Sequence, residues 1–419
     1  MVQPPVIVLP GITATGLEDH YPLDPETVWS ALRPRDYPRI ALHPDDVRYE
    51  AREPARVLPR SPFGLVYGDL VAALRHDLTR RADQPTPVFG FGYDWRQDCA
   101  RTAQQLGAFV EEVLARTALL PHYRREPPTQ VDLVGHSMGG LVMARYLCDV
   151  QELPRARRRI RRVVTLGTPF RGSMDSMLKI ATGMGTLTGA DPRDRERESA
   201  RTIPALYQLL PSYAGAVEAE PGTSNSLFEV ENWQKSVLET LEEFRKRQQA
   251  QTSAVEILQS HLQRARDLVS AVNQLDPRRV LGNGLDDWLA IVGLGERTHQ
   301  SVRLTRDRRG PRFEFVDPPE ASTSALSGDG TVPYRGACPD FMPAKRLACV
   351  TTRELSFWEI RDRVLVEFAG LHPFLPKMNL VQRLVLRFLN DDYRGRCEAR
   401  PAPAVTETQW PAWLGMITD

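Results

Sequence analysis

Segment 131–147, VDLVGHSMGGLVMARYL, joins an apolar strand pattern to an apolar helix pattern through a serine between glycines. Gly135, Ser137 and Gly139 fit the arrangement G-x-S-x-G, in which a sharp strand-to-helix turn lifts a serine hydroxyl clear of a sheet. The first amides of the following helix favour negative charge that develops beside the serine. We therefore predict that Ser137 is a nucleophile. A glycine-rich turn without chemistry is the alternative interpretation.

A serine nucleophile needs a general base, which is most often histidine. With a serine in this setting, the expected chain order is Ser, then Asp or Glu, then His. Three of the eight histidines follow Ser137 in the chain: His261, His299 and His372. His261 falls within an amphipathic helix pattern, and His299 lies near a turn, where packing or surface roles explain them. His372 follows a strand pattern at 363–368 and precedes the last helix, so we predict it as the base.

The acid is expected on a loop between the serine and the histidine. The run SGDGTVPYRG, residues 327–336, places Asp329 between two glycines after a strand pattern. A carboxylate on such a loop can accept the imidazole N–H and fix its tautomer. Asp-Gly is also a common turn signal, so a purely structural role is the alternative. Asp317 and Glu320 are weaker candidates for the acid.

An oxyanion hole needs two backbone N–H groups close to the nucleophile. One is expected from Met138, which follows the serine, and the other from a loop after an early strand. The run VIVLPGI, residues 6–12, is a short apolar strand pattern that ends at Pro-Gly. We therefore predict that the amides of Ile12 and Met138 form the hole.

Motifs for other chemistry are missing from the sequence. The run GMGTLTG, residues 183–189, lacks the lysine of a phosphate-binding loop and the spacing of a dinucleotide fingerprint. No H-E-x-x-H or comparable spacing of metal ligands occurs. We expect no cofactor and no metal.

The overall charge is close to zero, with 54 basic and 53 acidic side chains and a formal net charge of +1. Such a balance creates no general attraction to nucleic acid, so we expect no nucleic-acid partner. The run RARRRIRR, residues 155–162, could bind anionic lipid or nucleic acid. Because it precedes a strand pattern, it is expected opposite the active site, where a solvated surface explains it.

The first residues and the cysteines indicate the cellular compartment that we expect. The first residues, MVQPPVIVLPG, have no basic region, and their apolar run is short for a signal peptide. The sequence contains no run of about 18 apolar residues, so we expect no membrane span. The five cysteines are scattered without a C-x-x-C pair, which favours a reducing compartment. We therefore expect a cytoplasmic protein.

Strand and helix patterns alternate through about the first 170 residues, which is typical of a mostly parallel sheet covered by helices on both faces. After Gly172 the alternation stops. Apolar residues at helical spacing in 231–275 then predict a hairpin of two amphipathic helices. Strand patterns return at 287–295. We predict a catalytic domain from 1–172 and 286–395, a helical cap at 173–285, a β-hairpin at 301–317, a last helix at 376–390 and a tail at 396–419.

Six blocks, in this order, resemble the lecithin:cholesterol acyltransferase family of α/β-hydrolases: VIVLPGI, FGYDWR, GHSMGG, LGTPFRGS, LYQLLPSY and GDGTVP. The resemblance implies an α/β-hydrolase fold and an enzyme that transfers or hydrolyses acyl groups on phospholipids and related lipids. It matches Ser137, Asp329 and His372 to the family triad. It also matches Ile12 and Met138 to the oxyanion positions.

A further block, Tyr93, Asp94, Trp95 and Arg96, resembles a family segment near the active site, where we predict a structural pair of Asp94 and Arg96. Two departures limit the resemblance. Secreted members carry signal peptides and disulfides, which this sequence does not show, so their lipoprotein partners are not carried over. The helical pair at 231–275 has no counterpart that can be aligned, which leaves substrate choice open.

The sequence therefore predicts a serine lipase or esterase that acts on an acyl ester, with a lipid as the expected substrate. The helical cap is a candidate for peripheral contact with a membrane. An alcohol in place of water would make the enzyme an acyltransferase. The alternative from another class is a pseudoenzyme whose cap binds a protein partner.

Overall fold

The computed structural model describes residues 3–20, 24–30, 37–45, 57–154, 157–182, 195–220, 224–308, 310–316, 327–355, 359, 370–390 and 397–417. Four features named above lie outside these residues: Asp317, Glu320, the glycine-rich run at 183–189 and the strand predicted at 363–368.

The strands are β1 Val6–Leu9, β2 Thr15–Asp19, β3 Glu26–Trp29, β4 Val57–Pro62, β5 Val88–Gly90, β6 Val131–His136, β7 Ile160–Leu166, β8 Val217–Ala219, β9 Trp288–Leu294, β10 Ser301–Asp307, β11 Gly310–Val316, β12 Ala348–Thr351, β13 Cys397–Ala399 and β14 Leu414–Met416. The helices are α1 Tyr37–Ile40, α2 Gly64–Asp77, α3 Cys99–Ala118, α4 Met138–Val150, α5 Met174–Thr182, α6 Glu196–Thr202, α7 Pro204–Tyr207, α8 Lys235–Gln248, α9 Ala254–Asn273, α10 Pro277–Val280, α11 Tyr334–Ala337 and α12 Asn379–Asn390. In the part of the chain that the structure describes, no helix is long and apolar enough to span a bilayer.

A six-stranded sheet forms the centre of the fold, in the order β12-β9-β7-β6-β1-β5. All neighbouring strands in it run parallel. Every residue of β1, β6, β9 and β12 is buried, as expected for parallel strands that are covered on both faces. Because the strands are parallel, their carboxyl ends share one edge of the sheet, and Ser137 follows β6 at that edge.

The sheet separates two apolar cores, because successive side chains of a strand point to opposite faces. Leu133 of β6 and Val163 of β7 pack in the core that contains residues of α3 and α4. Val134 and Val164 pack in the other core, with residues of α2 and α12. The predicted fold class, a mostly parallel sheet with helices on both faces, is confirmed.

The segment 173–285 contributes α5 to α10 and the short strand β8. The predicted hairpin consists of α8 and α9, and α9 begins with a capping box between Ser253 and Glu256. Its apolar stripe is buried within the chain, at Leu258, Leu262, Leu268 and Val272. Helix α9 packs on α4 of the catalytic domain and on α7 of the cap, so the hairpin contacts both parts of the chain.

Two pairings cross the predicted domain boundaries. The hairpin β10–β11 forms as predicted, but β10 also pairs with β8, so the boundary at 286 divides a small sheet. In the segment predicted as a tail, β13 pairs with β14. Arg400 also exchanges backbone hydrogen bonds of 2.8 and 2.9 Å with Cys349 of β12, so this segment packs on the edge of the central sheet.

We expect His261 of α9 to lower the stability of the fold in acid. Its ring packs against Tyr207 with centroids 5.0 Å apart and planes tilted by 35°, and neither ring nitrogen has a hydrogen-bond partner within the described residues. Burial, and secondarily the charge of Arg264, lowers the pKa of His261 to about 3. The unfolded chain takes up this proton near pH 6.5, so the stability that the neutral ring contributes is lost as the pH falls from about 6.5 towards 3.

We expect His261→Phe to keep the ring contact with Tyr207 and to remove the two unpaired polar atoms. Between pH 7.5 and pH 5, the free energy of unfolding should fall by about 2 kcal/mol less in this variant than in the wild type. Chemical denaturation at the two pH values measures the difference. An equal fall in both proteins would contradict this account of His261.

Candidate active site

The turn between β6 and α4 holds Ser137 in a strained conformation, with φ 53° and ψ −127°. Its N–H donates to the carbonyl of Leu166 in β7 at 2.8 Å, which fixes the turn to the neighbouring strand. Gly139 is needed because a Cβ there would lie 2.5 Å from the carbonyl oxygen of Pro10. Close packing of the helix start against the end of β1 thus explains the glycine and presents the serine at the sheet edge.

Ser137, His372 and Asp329 meet at this edge. The Oγ of Ser137 lies 2.8 Å from Nε2 of His372, and Nδ1 of His372 lies 2.6 Å from Oδ2 of Asp329. All three side chains are buried. Because a carboxylate only accepts, Nδ1 carries the proton, and Nε2 is left to accept from the serine hydroxyl. The three residues that the sequence predicts as a triad are brought together in hydrogen-bonding order.

The carboxylate of Asp329 is held by its own loop. Its Oδ1 accepts from the amides of Val332 at 2.7 Å and Thr331 at 3.1 Å, while Oδ2 faces His372. The N–H of His372 also donates to the carbonyl of Asp329 at 2.9 Å. A Cβ at Gly167, where φ is 53°, would lie 3.0 Å from Oδ2, so only glycine leaves room for the pair. The acid and base loops are therefore locked to each other.

The predicted oxyanion amides belong to two elements beside Ser137. Met138 begins α4, and Ile12 lies in the loop between β1 and β2. Neither amide donates to an acceptor among the described residues. Gly11 approaches the nucleophile so closely that a Cβ on it would lie 2.9 Å from the Cβ of Ser137. Two unused N–H groups are thus available next to the serine.

Two residues of the block from Tyr93 to Arg96 donate hydrogen bonds to the segment that follows β1. The Tyr93 hydroxyl donates to the carbonyl of Pro10 at 2.7 Å, and the Trp95 ring N–H donates to Thr15 at 3.2 Å. The guanidinium of Arg96 donates two hydrogen bonds to the carboxylate of Asp94, of 2.8 and 2.7 Å, and both side chains are buried. Within the described residues, none of the four side chains lines the cavity at Ser137. They are placed as structural supports.

A cavity of about 260 Å³ opens at Ser137 and His372. Most of its wall is apolar: Ile12, Trp29, Phe63, Val66, Pro169, Leu206, Leu209 and Val332. One ion pair interrupts this wall, between Lys179 Nζ and Asp175 Oδ2 of α5 at 3.3 Å, and both side chains are mostly buried, with 15% and 13% exposed. The described residues of the hairpin α8–α9 do not line the cavity, which α5 and residues 206–209 border instead.

Tyr67 and His136 are polar groups at the site that the motifs did not predict. Both are buried and line the same cavity. Burial, and secondarily the charge of His372, lowers the pKa of His136 well below its ordinary value. Burial also raises the pKa of the Tyr67 hydroxyl. Both side chains are therefore neutral at ordinary pH. Within the described residues, no cluster of His, Cys, Asp or Glu is arranged to hold a metal.

Comparison with known proteins supports the resemblance seen in the motifs. The model of the family described as lecithin:cholesterol acyltransferase matches residues 78–277, a segment that includes Ser137. No curated protein matches the chain in sequence. The family match confirms the predicted resemblance and supports lipid ester hydrolysis or acyl transfer as the class of activity.

One solved structure supports the fold, and two others match with TM-scores below 0.5. The crystal structure of the Tle4–Tli4 complex matches with a TM-score of 0.63 and 14% identity, over 92% of this chain and 98% of that chain. Bacillus licheniformis lipase BlEst2 in its mature form matches with a TM-score of 0.32 and 11% identity, over 84% of each chain. Phospholipase PlaB from Legionella pneumophila matches with 0.41 and 11%, over 92% of this chain and 59% of that chain. The fold is that of an α/β-hydrolase.

Proposed function

We propose that this protein, whose residues 78–277 match the lecithin:cholesterol acyltransferase family, is a serine hydrolase that cleaves an acyl ester of a lipid. The observation that carries the proposal is the hydrogen-bonded series Ser137, His372 and Asp329, of which Ser137 and His372 line a mostly apolar cavity. A nucleophile, a base and a group that orients the base are the parts that acyl transfer requires.

In the proposed reaction, Ser137 Oγ attacks the ester carbonyl while Nε2 of His372 takes its proton. Asp329 stabilises the imidazolium and holds its tautomer. The amides of Ile12 and Met138 donate to the oxyanion of the tetrahedral intermediate. His372 then returns the proton to the leaving alcohol, and an acyl-enzyme remains on the serine.

The second half of the reaction decides between hydrolysis and transfer. Water activated by His372 attacks the acyl-enzyme and releases a carboxylic acid, which regenerates Ser137. An alcohol in the same position would receive the acyl group, and the enzyme would then be an acyltransferase. We propose hydrolysis as the reaction, with acyl transfer as the alternative.

The cavity wall suits a lipid with a polar head. Its apolar side chains provide the surface that an acyl chain would bury. The pair of Asp175 and Lys179 stands apart, because charged groups in an apolar wall cost desolvation energy. Asp175 lies in the first turn of α5 and Lys179 in the last, four positions later, and both placements stabilise a helix. Neither placement requires the pair to face the cavity. We propose that Lys179 contacts the anionic part of a phospholipid head.

Only part of the cap borders the cavity. Helix α5 and residues 206–209 border the cavity directly, whereas the hairpin α8–α9 packs behind them, on α4 and α7. The cap, 173–285, is the part of the chain that we propose for peripheral membrane contact.

None of the five cysteines forms a disulfide, which fits a reducing compartment such as the cytoplasm.

Fatty-acid release tests this function. The purified protein is given phosphatidylethanolamine or diacylglycerol with the same acyl chains, and Ser137→Ala serves as the blank. We expect the wild type to release fatty acid from both lipids. Lys179→Met should lower the rate on the phospholipid, relative to diacylglycerol, by about tenfold, since it removes a charge-assisted hydrogen bond.

The matched control is Lys345→Met, which removes an exposed lysine that does not line the cavity. This variant should keep the wild-type ratio of the two rates. Release no higher than in Ser137→Ala would contradict lipid hydrolysis. An unchanged ratio in Lys179→Met would contradict only the contact with the head group.

A further inference from the structure

We propose that Tyr67 and His136 are positioning residues that tie the oxyanion loop to the loop that carries His372. Three hydrogen bonds, called here the Tyr67–His136 network, make this connection. The inference rests on the proposed hydrolase function. It assigns a role to two buried side chains that touch neither the serine hydroxyl nor the carboxylate.

The network runs from one side of Ser137 to the other. The N–H of Gly11 lies 2.7 Å from the Tyr67 hydroxyl oxygen, and that oxygen lies 2.8 Å from Nδ1 of His136. The Nε2 of His136 lies 3.0 Å from the carbonyl oxygen of His372. The network therefore joins the loop after β1 to the loop before α12, which are more than 350 positions apart in the sequence.

The direction of each bond follows from the partners. A carbonyl oxygen only accepts, so Nε2 of His136 carries a proton and donates to His372. The neutral ring then has a lone pair on Nδ1, which accepts from the Tyr67 hydroxyl. The Tyr67 oxygen in turn accepts from the N–H of Gly11. Every group in the network thus has one consistent role, and only one tautomer of His136 allows it.

The two side chains are largely buried, although both border the cavity at Ser137. Tyr67 is 2% exposed and His136 is 5% exposed. The His136 ring packs on the ring of His372 with centroids 4.9 Å apart, and on Tyr67 at 5.8 Å. A polar group this deeply buried has a free-energy cost when it loses its hydrogen-bond partner. Removal of one link should therefore displace the loops that it joins.

The network also assigns the two amides of the oxyanion loop. Because the N–H of Gly11 is used by Tyr67, that of Ile12 is the one left for the oxyanion. The base and the oxyanion donors must keep their spacing to within fractions of an ångström, because both act on the same carbonyl group. Tyr67 holds the oxyanion loop and His136 holds the loop of His372, so the hydrogen bond between them fixes the distance between the two loops.

Tyr67→Phe tests the proposal, since it removes the hydroxyl and keeps the ring. We expect kcat on p-nitrophenyl butyrate to fall by about 10- to 100-fold while KM stays within twofold. The affinity for a trifluoromethyl ketone, which forms a tetrahedral adduct with the serine, should fall by a similar factor. The control is Tyr123→Phe, which removes a buried hydroxyl that donates to Gln3 at 2.6 Å. It should keep the wild-type kcat.

Two further measurements test the network, and the first does not depend on how well Tyr67→Phe folds. In the wild type, ¹⁵N NMR should find the Nε2–H tautomer of His136 near pH 7. In a double-mutant cycle, Tyr67→Phe should add little to the loss caused by His136→Leu, because both break one network. An Nδ1–H tautomer, additive losses, or wild-type kcat in a folded Tyr67→Phe would each overturn the proposal. Absence of ester hydrolysis in the wild type would instead overturn the proposed function.

Discussion

Replacement of Ser137 by alanine is expected to lower kcat by about 10⁴-fold or more, and His372→Ala should have a comparable effect. The serine supplies the nucleophile, and the histidine, 2.8 Å away, supplies the base, so either change stops the same step. The double variant should lose little further activity, because the two residues act as a unit. Steady-state kinetics on p-nitrophenyl butyrate measure all three variants.

Additive losses in the double variant would show that the two side chains act independently, and the triad assignment would then be wrong. Melting curves serve as the control for folding. The strained turn at Ser137 is kept by Gly135 and Gly139, which neither substitution alters. Both variants should therefore remain folded.

Asp329→Asn should lower kcat by about 10³- to 10⁴-fold. Oδ1 of Asp329 accepts from two amide N–H groups, of Thr331 and Val332, so the amide oxygen of asparagine belongs at that position. Its NH₂ group then faces Nδ1 of His372 and cannot accept a hydrogen bond from it. The imidazole is forced into the tautomer that has no lone pair towards Ser137.

The measurement is again kcat, with a melting curve as the control for folding. Activity close to that of the wild type in Asp329→Asn would move the acid to Asp317 or Glu320, the other candidates in the sequence. The melting curve shows whether a large loss of kcat comes from unfolding of the variant and not from the missing carboxylate.

The parts of the site that the sequence predicts are those with local signals. The turn at Ser137 is marked by glycines, because the start of α4 packs against the end of β1. Asp329 lies between glycines, at positions where φ is positive. His372 follows from the order of the residues along the chain. Parallel strands are recognisable because they are buried on both faces and therefore apolar throughout.

The features that the sequence does not predict depend on contacts between distant segments. Tyr67 lies in an ordinary amphipathic helix, and its link to His136 exists only after the sheet has formed. Lys179 and Asp175 have the spacing of a common surface ion pair, so nothing local indicates that they face the cavity. The pairing of β8 with β10 joins residues more than 80 positions apart, which is why the predicted boundary at 286 divides that sheet.

The central claim is that Ser137 is an activated nucleophile in the folded protein, and labelling with a fluorophosphonate tests it most directly. The reagent should modify one residue per chain, and peptide mass spectrometry should place the adduct on Ser137. Ser137→Ala should take up no label, and His372→Ala should take it up far more slowly than the wild type. A folded wild-type protein that stays unlabelled, or that carries the label on another residue, would contradict the account and favour a pseudoenzyme whose cap binds a protein partner.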